Sequence, residues 1–562
     1  MLVHAEGSSS SGVLKAAGAM GAATFISRIM GLVREQVFAI MFGAGNMTDA
    51  YNVAFRIPNL LRDLFAEGAM SASLVPTFTR TRLEEGDRRA WRVAGLVFRV
   101  LFVLVGAITV LGIVFAPQLV GLYASAFKQI PGKFDLTVQL TRVMFPFFPL
   151  VALAAAFMGI LNACGVFFLP AFASALFNLS SILVGVAGAG IIGKWGGAWG
   201  VQPIVGMAVG VLAGGFVQAF CQLPTLYKKG YRWMEKREPD PRWSEDPRLR
   251  QMLWMMVPGT IGLAATQVNL LVNTILATSQ GTGAVSWLNY AFRLMQFPIG
   301  VFGVSLASAT LPKISRQWVS GNIQGVAETI THSIRSVFAI NLPASAGLCF
   351  LGVPIIELIF QYGRFTSSDT QATATALAMY SIGLTAYSAV KVLVPACYAL
   401  GNTRLPVLSS VLAVSFTIIL NILMVKPFGY WGLALGTSLA AILNAVFLLG
   451  SVRYLIRKKG GVLPLAPLMM GLAQYLLVAA VMGGVCYFSK NALLNLIPDA
   501  TFPFQGRKVG VLLGRGTRMS LLLAQGIGVV ILLAWVLKLR EATEVIHLFT
   551  RKMKNKLRQN ST

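Results

Sequence analysis

Apolar runs of about 20 residues recur along the chain, separated by short polar stretches, which is the length a helix needs to cross a bilayer. Fourteen spans are predicted, starting near Val13, Ala50, Val93, Leu136, Phe168, Val201, Gln251, Ala284, Ile330, Thr370, Leu405, Tyr430, Ala466 and Met519. The second is the least apolar. Short segments alternating apolar and polar, as a β-barrel requires, are not seen. The predicted fold class is an all-α polytopic membrane protein with 14 transmembrane helices.

The polar stretches carry the topology. Basic residues crowd the loops after spans 2, 6, 8, 10 and 12 and the tail RKMKNKLR. Loops after odd spans, such as FGAGNMTD and SQGTGAV, have no Lys or Arg. Cationic loops stay in the cytoplasm, so both termini are expected inside. One loop breaks the pattern: the stretch between spans 13 and 14 holds Lys490, Arg507, Lys508, Arg515 and Arg518.

The pattern also repeats. Ala54-Phe55-Arg56 matches Ala291-Phe292-Arg293 at an offset of 237, and Pro76 and Arg80 match Pro312 and Arg316 at 236. Leu169-Pro170 matches Leu405-Pro406, Trp199-Gly200 matches Trp431-Gly432, and Lys228-Lys229-Gly230 matches Lys458-Lys459-Gly460. An even number of spans per copy makes the repeat parallel. The expected domains are an N-terminal lobe over 1–230 (spans 1–6), a C-terminal lobe over 231–460 (spans 7–12), and two further helices with a basic cytoplasmic tail over 461–562. Two such lobes facing a central cavity are a common transporter plan.

Composition agrees: 56% of residues are hydrophobic and 12% charged. The net charge of +27 would suggest nucleic acid in a soluble protein, but here it sits in short loops and reads as topology, so no nucleic-acid partner is expected. The five cysteines lie far apart in or beside apolar runs, with no CxxC and only three His, so neither disulfide nor metal is expected. No basic n-region precedes the first apolar run, and no cleaved signal peptide is read.

The charges inside the spans change the picture. A charge at the bilayer centre costs roughly 2.5–3.5 kcal/mol on insertion scales. Span 1 nevertheless carries Arg28, Arg34 and Glu35, span 2 carries Asp49, Arg56, Arg62, Asp63 and Glu67, span 8 carries Arg293 and span 10 carries Lys391. Helical phase aligns Arg28 with Glu35 and Arg56 with Asp63, which offers buried pairs. Arg99 and Arg142 lie nearer span ends, where they can snorkel. Within the set, Arg28, Arg34, Arg56, Arg62 and Arg293 outnumber Glu35, Asp63 and Glu67, so pairing cannot neutralise them all. Excess cation in a membrane needs water or an anion, and arginine suits bidentate phosphate recognition. The residues point to a hydrated cationic cavity for an anionic, phosphorylated substrate.

SRIMGLVRE, FGAGNMTDAYNVAFRIPNLLRDLFAEGA, VSWLNYAFRLMQFPIGVFGVSLASATLP and LIFQYGRFT closely resemble the MurJ/MviN family, lipid II flippases of the multidrug/oligosaccharidyl-lipid/polysaccharide exporter superfamily. The resemblance implies two lobes of six helices plus two more, and alternating access. It implies a bacterial inner-membrane protein that moves undecaprenyl-diphosphate disaccharide-pentapeptide to the periplasmic leaflet for peptidoglycan synthesis. It places the family's cavity arginines on Arg28, Arg34, Arg62 and Arg293, with Arg56 and Ser286 as further substrate contacts and Asp49, Glu67 and Glu35 as supporting charges. It assigns spans 13 and 14 a groove for the prenyl tail. The chain departs where some relatives carry acids: Phe292 and Gln296 stand beside Arg293, and span 7 offers Gln267, Asn269 and Asn273. Coupling to the membrane potential or a monovalent ion is expected, with no cofactor. Expected partners are lipid II, membrane lipids and other cell-wall synthesis proteins, around a monomer.

The alternatives are an exporter of another polyprenyl-diphosphate-linked oligosaccharide, a cationic-drug exporter, which a cationic cavity disfavours, and a prenyl-diphosphate enzyme, which would need an acidic metal pair or a His base that no span supplies.

Overall fold

The computed structural model describes residues 9–64, 71–231, 246–497 and 507–541. Glu67, Arg507, Lys508 and the basic tail are therefore not described at side-chain level. The described chain is helical throughout and gathers into two compact units, Met1–Ser286 and Trp287–Thr562.

The first unit holds α1 (Ser9–Phe42), α2 (Asn46–Arg62), α3 (Ser71–Glu85), α4 (Asp87–Val114), α5 (Ala116–Tyr123), α6 (Lys133–Met144), α7 (Phe147–Ala163), α8 (Phe168–Trp195), α9 (Ile204–Phe220), α10 (Leu223–Lys228) and α11 (Pro247–Thr278). α12 (Ala284–Pro298) starts at its end. The second unit continues with α13 (Val304–Val319), α14 (Ile323–Phe350), α15 (Gly352–Ile359), α16 (Ser367–Ala399), α17 (Arg404–Phe428), α18 (Tyr430–Lys458), α19 (Leu465–Leu496) and α20 (Arg507–Val536).

Eleven helices among the described residues are long and apolar enough to cross a membrane, so the chain is a multi-pass membrane-type protein. The other three predicted spans fall on α1, the α2–α3 pair and α11. Several predicted spans are broken. Span 8 is α12, a π-helical turn over Ile299–Gly303, and α13, with Pro298 at the junction. Pro146 separates α6 from α7. A proline removes an N–H and crowds the preceding turn, so a break there follows from sequence. The last span begins twelve residues before its apolar run, because α20 starts at Arg507. The unit boundary also falls later than the repeat boundary: α11 packs on α3, α4 and α5 within the first unit.

In the first unit, α8 and α9 pack most closely. A methyl group added at Gly206 would lie 2.1 Å from the Ala189 nitrogen, one at Gly210 2.5 Å from the Ser181 oxygen, and one at Gly214 2.2 Å from Ser181 Oγ. Three glycines at four-residue spacing make a flat stripe, the usual device for close helix contact in lipid.

Candidate functional site: buried charges and an apolar slot

In the first unit the charges come together in pairs. Arg34 is nine-tenths buried on α1, and its guanidinium reaches Glu35 Oε1 at 3.1 Å. It also lies 5.9 Å from the Phe55 ring of α2 and 5.7 Å from the Phe177 ring of α8. Aromatic faces and a carboxylate together offset the cost of burying a guanidinium. The phase-aligned pair of Arg28 with Glu35 does not form: Glu35 takes its neighbour Arg34, while Arg28 is exposed and makes no ion pair among the described residues. Likewise Asp63 takes Arg62 at 2.7 Å, not Arg56. Arg56 Nη1 donates to Thr274 Oγ1 of α11 at 2.9 Å. Arginine is long enough to curl onto the next residue, a possibility that helical phase leaves out.

Asp49 is wholly buried, and its carboxylate is a hub. Oδ2 accepts from Lys133 Nζ at 2.9 Å and from the Gly283 N–H at 2.7 Å. Oδ1 accepts from the Ser286 N–H at 3.1 Å and from Ser286 Oγ at 2.7 Å. Asn52 Nδ2 donates to the same hydroxyl at 3.3 Å. Lys133 is itself buried, with its ammonium 4.1 Å from the Phe127 ring. Asp49 thus ties the starts of α2 and α6 to the chain at Gly283–Ser286. Ser286, expected to touch substrate, spends its hydroxyl and N–H on this knot. Lys133 was not foreseen; it stands in the polar stretch before span 4 and looks like an ordinary loop lysine.

A third charged cluster joins α3, α4 and the start of α11. Arg248 reaches Glu84 and Glu85, and Arg89 reaches Glu85 at 3.3 Å and the buried Asp246 at 2.8 Å. Hydrogen bonds from Arg80, then Arg248, hold the Glu84 carboxyl below its usual range.

The second unit sets Arg293 differently. Tyr290 is buried between Phe360 (4.9 Å) and Phe365 (5.7 Å), which fixes the rotation of α12. Trp287 Nε1 donates to Asp369 at 2.9 Å, and Asp369 forms a capping box with Thr366 at the start of α16. Arg293, half-buried, follows one turn after Tyr290. Buried polar contacts along these helices are neutral: Ser388 Oγ donates to Asn341 Oδ1 at 3.0 Å, and Ser438 Oγ to the Met379 carbonyl at 2.7 Å.

An apolar slot of about 660 Å³ opens in this unit between α14, α19 and α20, lined by residues including Pro298, Ile340, Pro343, Gly347, Met482 and Ile527. That volume is in the range of small-molecule sites. Pro298 lies five residues from Arg293 on the same helix.

The puzzling basic stretch before span 14 is partly explained. Arg515 Nη1 donates to the carbonyls of Glu357 (2.9 Å) and Gln361 (3.0 Å), around the end of α15. Arg518 Nη1 donates to the Ile497 carbonyl just past α19 at 3.0 Å. Both arginines satisfy helix C-terminal carbonyls, where cations are favoured.

The profile of the family described as "Lipid II flippase MurJ" matches residues 38–502. A probable lipid II flippase MurJ of Vibrio cholerae is 34% identical over 464 residues, spanning 79% of this chain and 85% of the relative. A lipid II flippase MurJ of Burkholderia cenocepacia is 34% identical over 459 residues, spanning 79% and 87%. Among solved structures, "Lipid II flippase MurJ, inward closed conformation" superposes with a TM-score of 0.72 at 25% identity, covering 92% of this chain and 98% of that one. An inward-facing multidrug-resistance MATE transporter shares the fold, with a TM-score of 0.66 at 16% identity over 77% of this chain and 95% of its own. With a family match over most of its length, the chain belongs to the lipid II flippase MurJ family.

Proposed function

We propose that this protein is a transporter that carries lipid II from the cytoplasmic to the periplasmic leaflet by alternating access, through fourteen spans with both termini in the cytoplasm. The match of residues 38–502 to the family carries the reading, and the matched region contains Arg56, Arg62 and Arg293, with Arg28 and Arg34 just before it. The diphosphate is held by Arg28, Arg34, Arg62 and Arg293, with Arg56 beside them. The prenyl chain lies in the apolar slot that Pro298 joins to the Arg293 helix.

The chemistry follows from the pairs. Glu35 and Asp63 each bring one negative charge to an arginine. A diphosphate brings more charge and more acceptor oxygens, and bidentate guanidinium–phosphate contacts are among the strongest hydrogen bonds available. Its arrival therefore exchanges a weaker anion for a stronger one. Asp49, Lys133 and Ser286 act as packing that sets α2 and α6. Return of the empty, cationic protein is driven by the membrane potential, at about 2.3 kcal/mol per charge per 100 mV.

The test is leaflet exposure of labelled lipid II in liposomes, with and without an imposed potential. Wild-type protein is expected to expose the lipid, and faster with the potential. Equal exposure with and without protein would overturn the reading. Rescue of cells depleted of their own lipid II flippase is the second check.

A further inference from the structure

After Asp369 in its first turn, α16 carries a single charged residue, Lys391. Lys391 is exposed and makes no hydrogen bond or ion pair among the described residues. Helical phase shows what flanks it. Gly383 packs on α18, where an added methyl group would lie 2.8 Å from Ser438 Cα. Ser388 bonds Asn341 of α14 and abuts the π-helical turn, where a methyl group added at Gly303 would lie 3.1 Å from Ser388 Oγ. Lys391 falls between these two covered sides, in line with the exposed Tyr398 seven residues later. The repeat does not supply this cation: at the offset of 236 its first-unit counterpart is Ala155, which is buried.

The surface around Lys391 is wet. α13, which packs on α16, exposes Ser305, Ser308 and Arg316, whereas α17 exposes Val407, Val411 and Ile419, as a lipid-facing helix does. Snorkelling does not account for Lys391. The nearer end of α16 is its C-terminus, eight residues on, and helical side chains lean the other way. Three contacts lay α12 along α16 in the same direction: Trp287 with Asp369, Phe292 with Tyr380, and Gly303 with Ser388. Arg293 is therefore level with Tyr380, and Lys391 lies eleven residues further, about 16 Å along the helix. Both side chains lean toward their N-termini, so the lean does not shorten the gap. A diphosphate held at Arg293 stops well short of Lys391, and a second anionic group further along the same molecule is what reaches it. In the topology proposed above, Lys391 lies on the cytoplasmic side of Arg293, where the sugar-peptide headgroup of an arriving lipid sits.

We propose that Lys391 is a second anion subsite, which takes a carboxylate of the substrate's peptide while the arginines take the diphosphate. The residue types fit this division. The arginine fork matches phosphate, whereas an ammonium is a point charge with three rotatable donors, suited to a carboxylate on a flexible peptide. The proposal rests on the function given above and adds the residue that reads the headgroup rather than the lipid.

The test measures binding of three lipids to the full chain in nanodiscs: lipid II, lipid II with its peptide carboxylates amidated, and undecaprenyl diphosphate, which has no headgroup. Lys391→Met is expected to weaken lipid II roughly tenfold, the low end for a hydrogen bond to a charged group, while undecaprenyl diphosphate binds as in wild type. Lys391→Arg, which keeps the charge, should restore most of the lipid II affinity. Wild-type protein should bind the amidated lipid as weakly as Lys391→Met binds the ordinary one, a comparison that holds even if the variant fails to fold. Equal losses for lipid II and undecaprenyl diphosphate in Lys391→Met would overturn the proposal, because Lys391 would then serve the diphosphate or the fold. So would full wild-type affinity for the amidated lipid. Wild-type protein binding none of the three would instead overturn the lipid II reading itself.

Discussion

The two units treat charge in different ways. The first buries Arg34 with Glu35 and Asp49 with Lys133 among its helices. The second has neutral buried contacts such as Ser388 to Asn341, and its buried charges Asp369, Arg518 and Glu541 each bind a group on another element: the Trp287 ring nitrogen, the Ile497 carbonyl and Arg335. It has an apolar slot where the first unit has cations. The substrate proposed here has two chemistries: most of the proposed diphosphate contacts come from the first unit, and the apolar slot is in the second.

The division can be broken in several ways. The largest effect should come from the arginines. Arg34→Ala and Arg293→Ala should each abolish lipid exposure in liposomes while membrane insertion, read by topology labelling, is unchanged. Arg99→Ala should transport normally. Wild-type transport by Arg293→Ala would remove the second unit from anion binding.

Next is the buried ion pair. Lys133→Met leaves Asp49 charged and uncompensated, at a cost of about 3–5 kcal/mol. Adding Asp49→Asn should recover much of that loss in thermal unfolding. In the second unit, Ser388→Ala removes a neutral bond and should cost only about 1–2 kcal/mol. Similar losses at the two sites would erase the contrast.

Packing gives a smaller effect. Gly206→Ala puts its methyl group against backbone, 2.1 Å from Ala189 nitrogen, and should cost about 1–3 kcal/mol. Gly436→Ala, whose methyl group meets Asn421 Oδ1 at 2.3 Å, should cost less, because a side chain can turn aside.

The smallest is a pH effect at Glu541. Burial pushes its carboxyl up, but hydrogen bonds from Arg335, its own backbone and Tyr475 pull it further down, so its pKa is lowered on folding. A lowered carboxyl stabilises fully above its unfolded value, about 4.3, and loses that contribution as pH falls through the folded one. The wild-type advantage in melting temperature over Glu541→Gln should hold at neutral pH and vanish in acid. A constant gap at every pH would mean that charge at Glu541 is irrelevant.

Much of this was legible in the chain. Apolar run lengths located the helices, but the break at Pro146 within span 4 was not read from them. Arginine's excess over acid pointed to an anion. Partner choice was not legible, because helical phase compares whole turns while the Arg34 and Arg62 side chains each reach the adjacent residue. Asp49 read as a wall charge because a stripe on one helix says nothing of what packs over it. Lys133 gave no signal beyond the need of a buried carboxylate for a cation. The basic stretch before span 14 looked like a topology fault because carbonyl partners such as Glu357 and Ile497 come from other helices.

The ion pair of Arg335 on α14 with Glu541, past the end of α20, also orders events in time. Arg335 is made 206 residues before Glu541. At about 5–20 residues per second, it waits some 10–40 s for its carboxylate. Throughout that interval α14 carries a cation without the carboxylate that pairs with it in the folded protein. A chain cut short before Glu541 leaves Arg335 without this carboxylate.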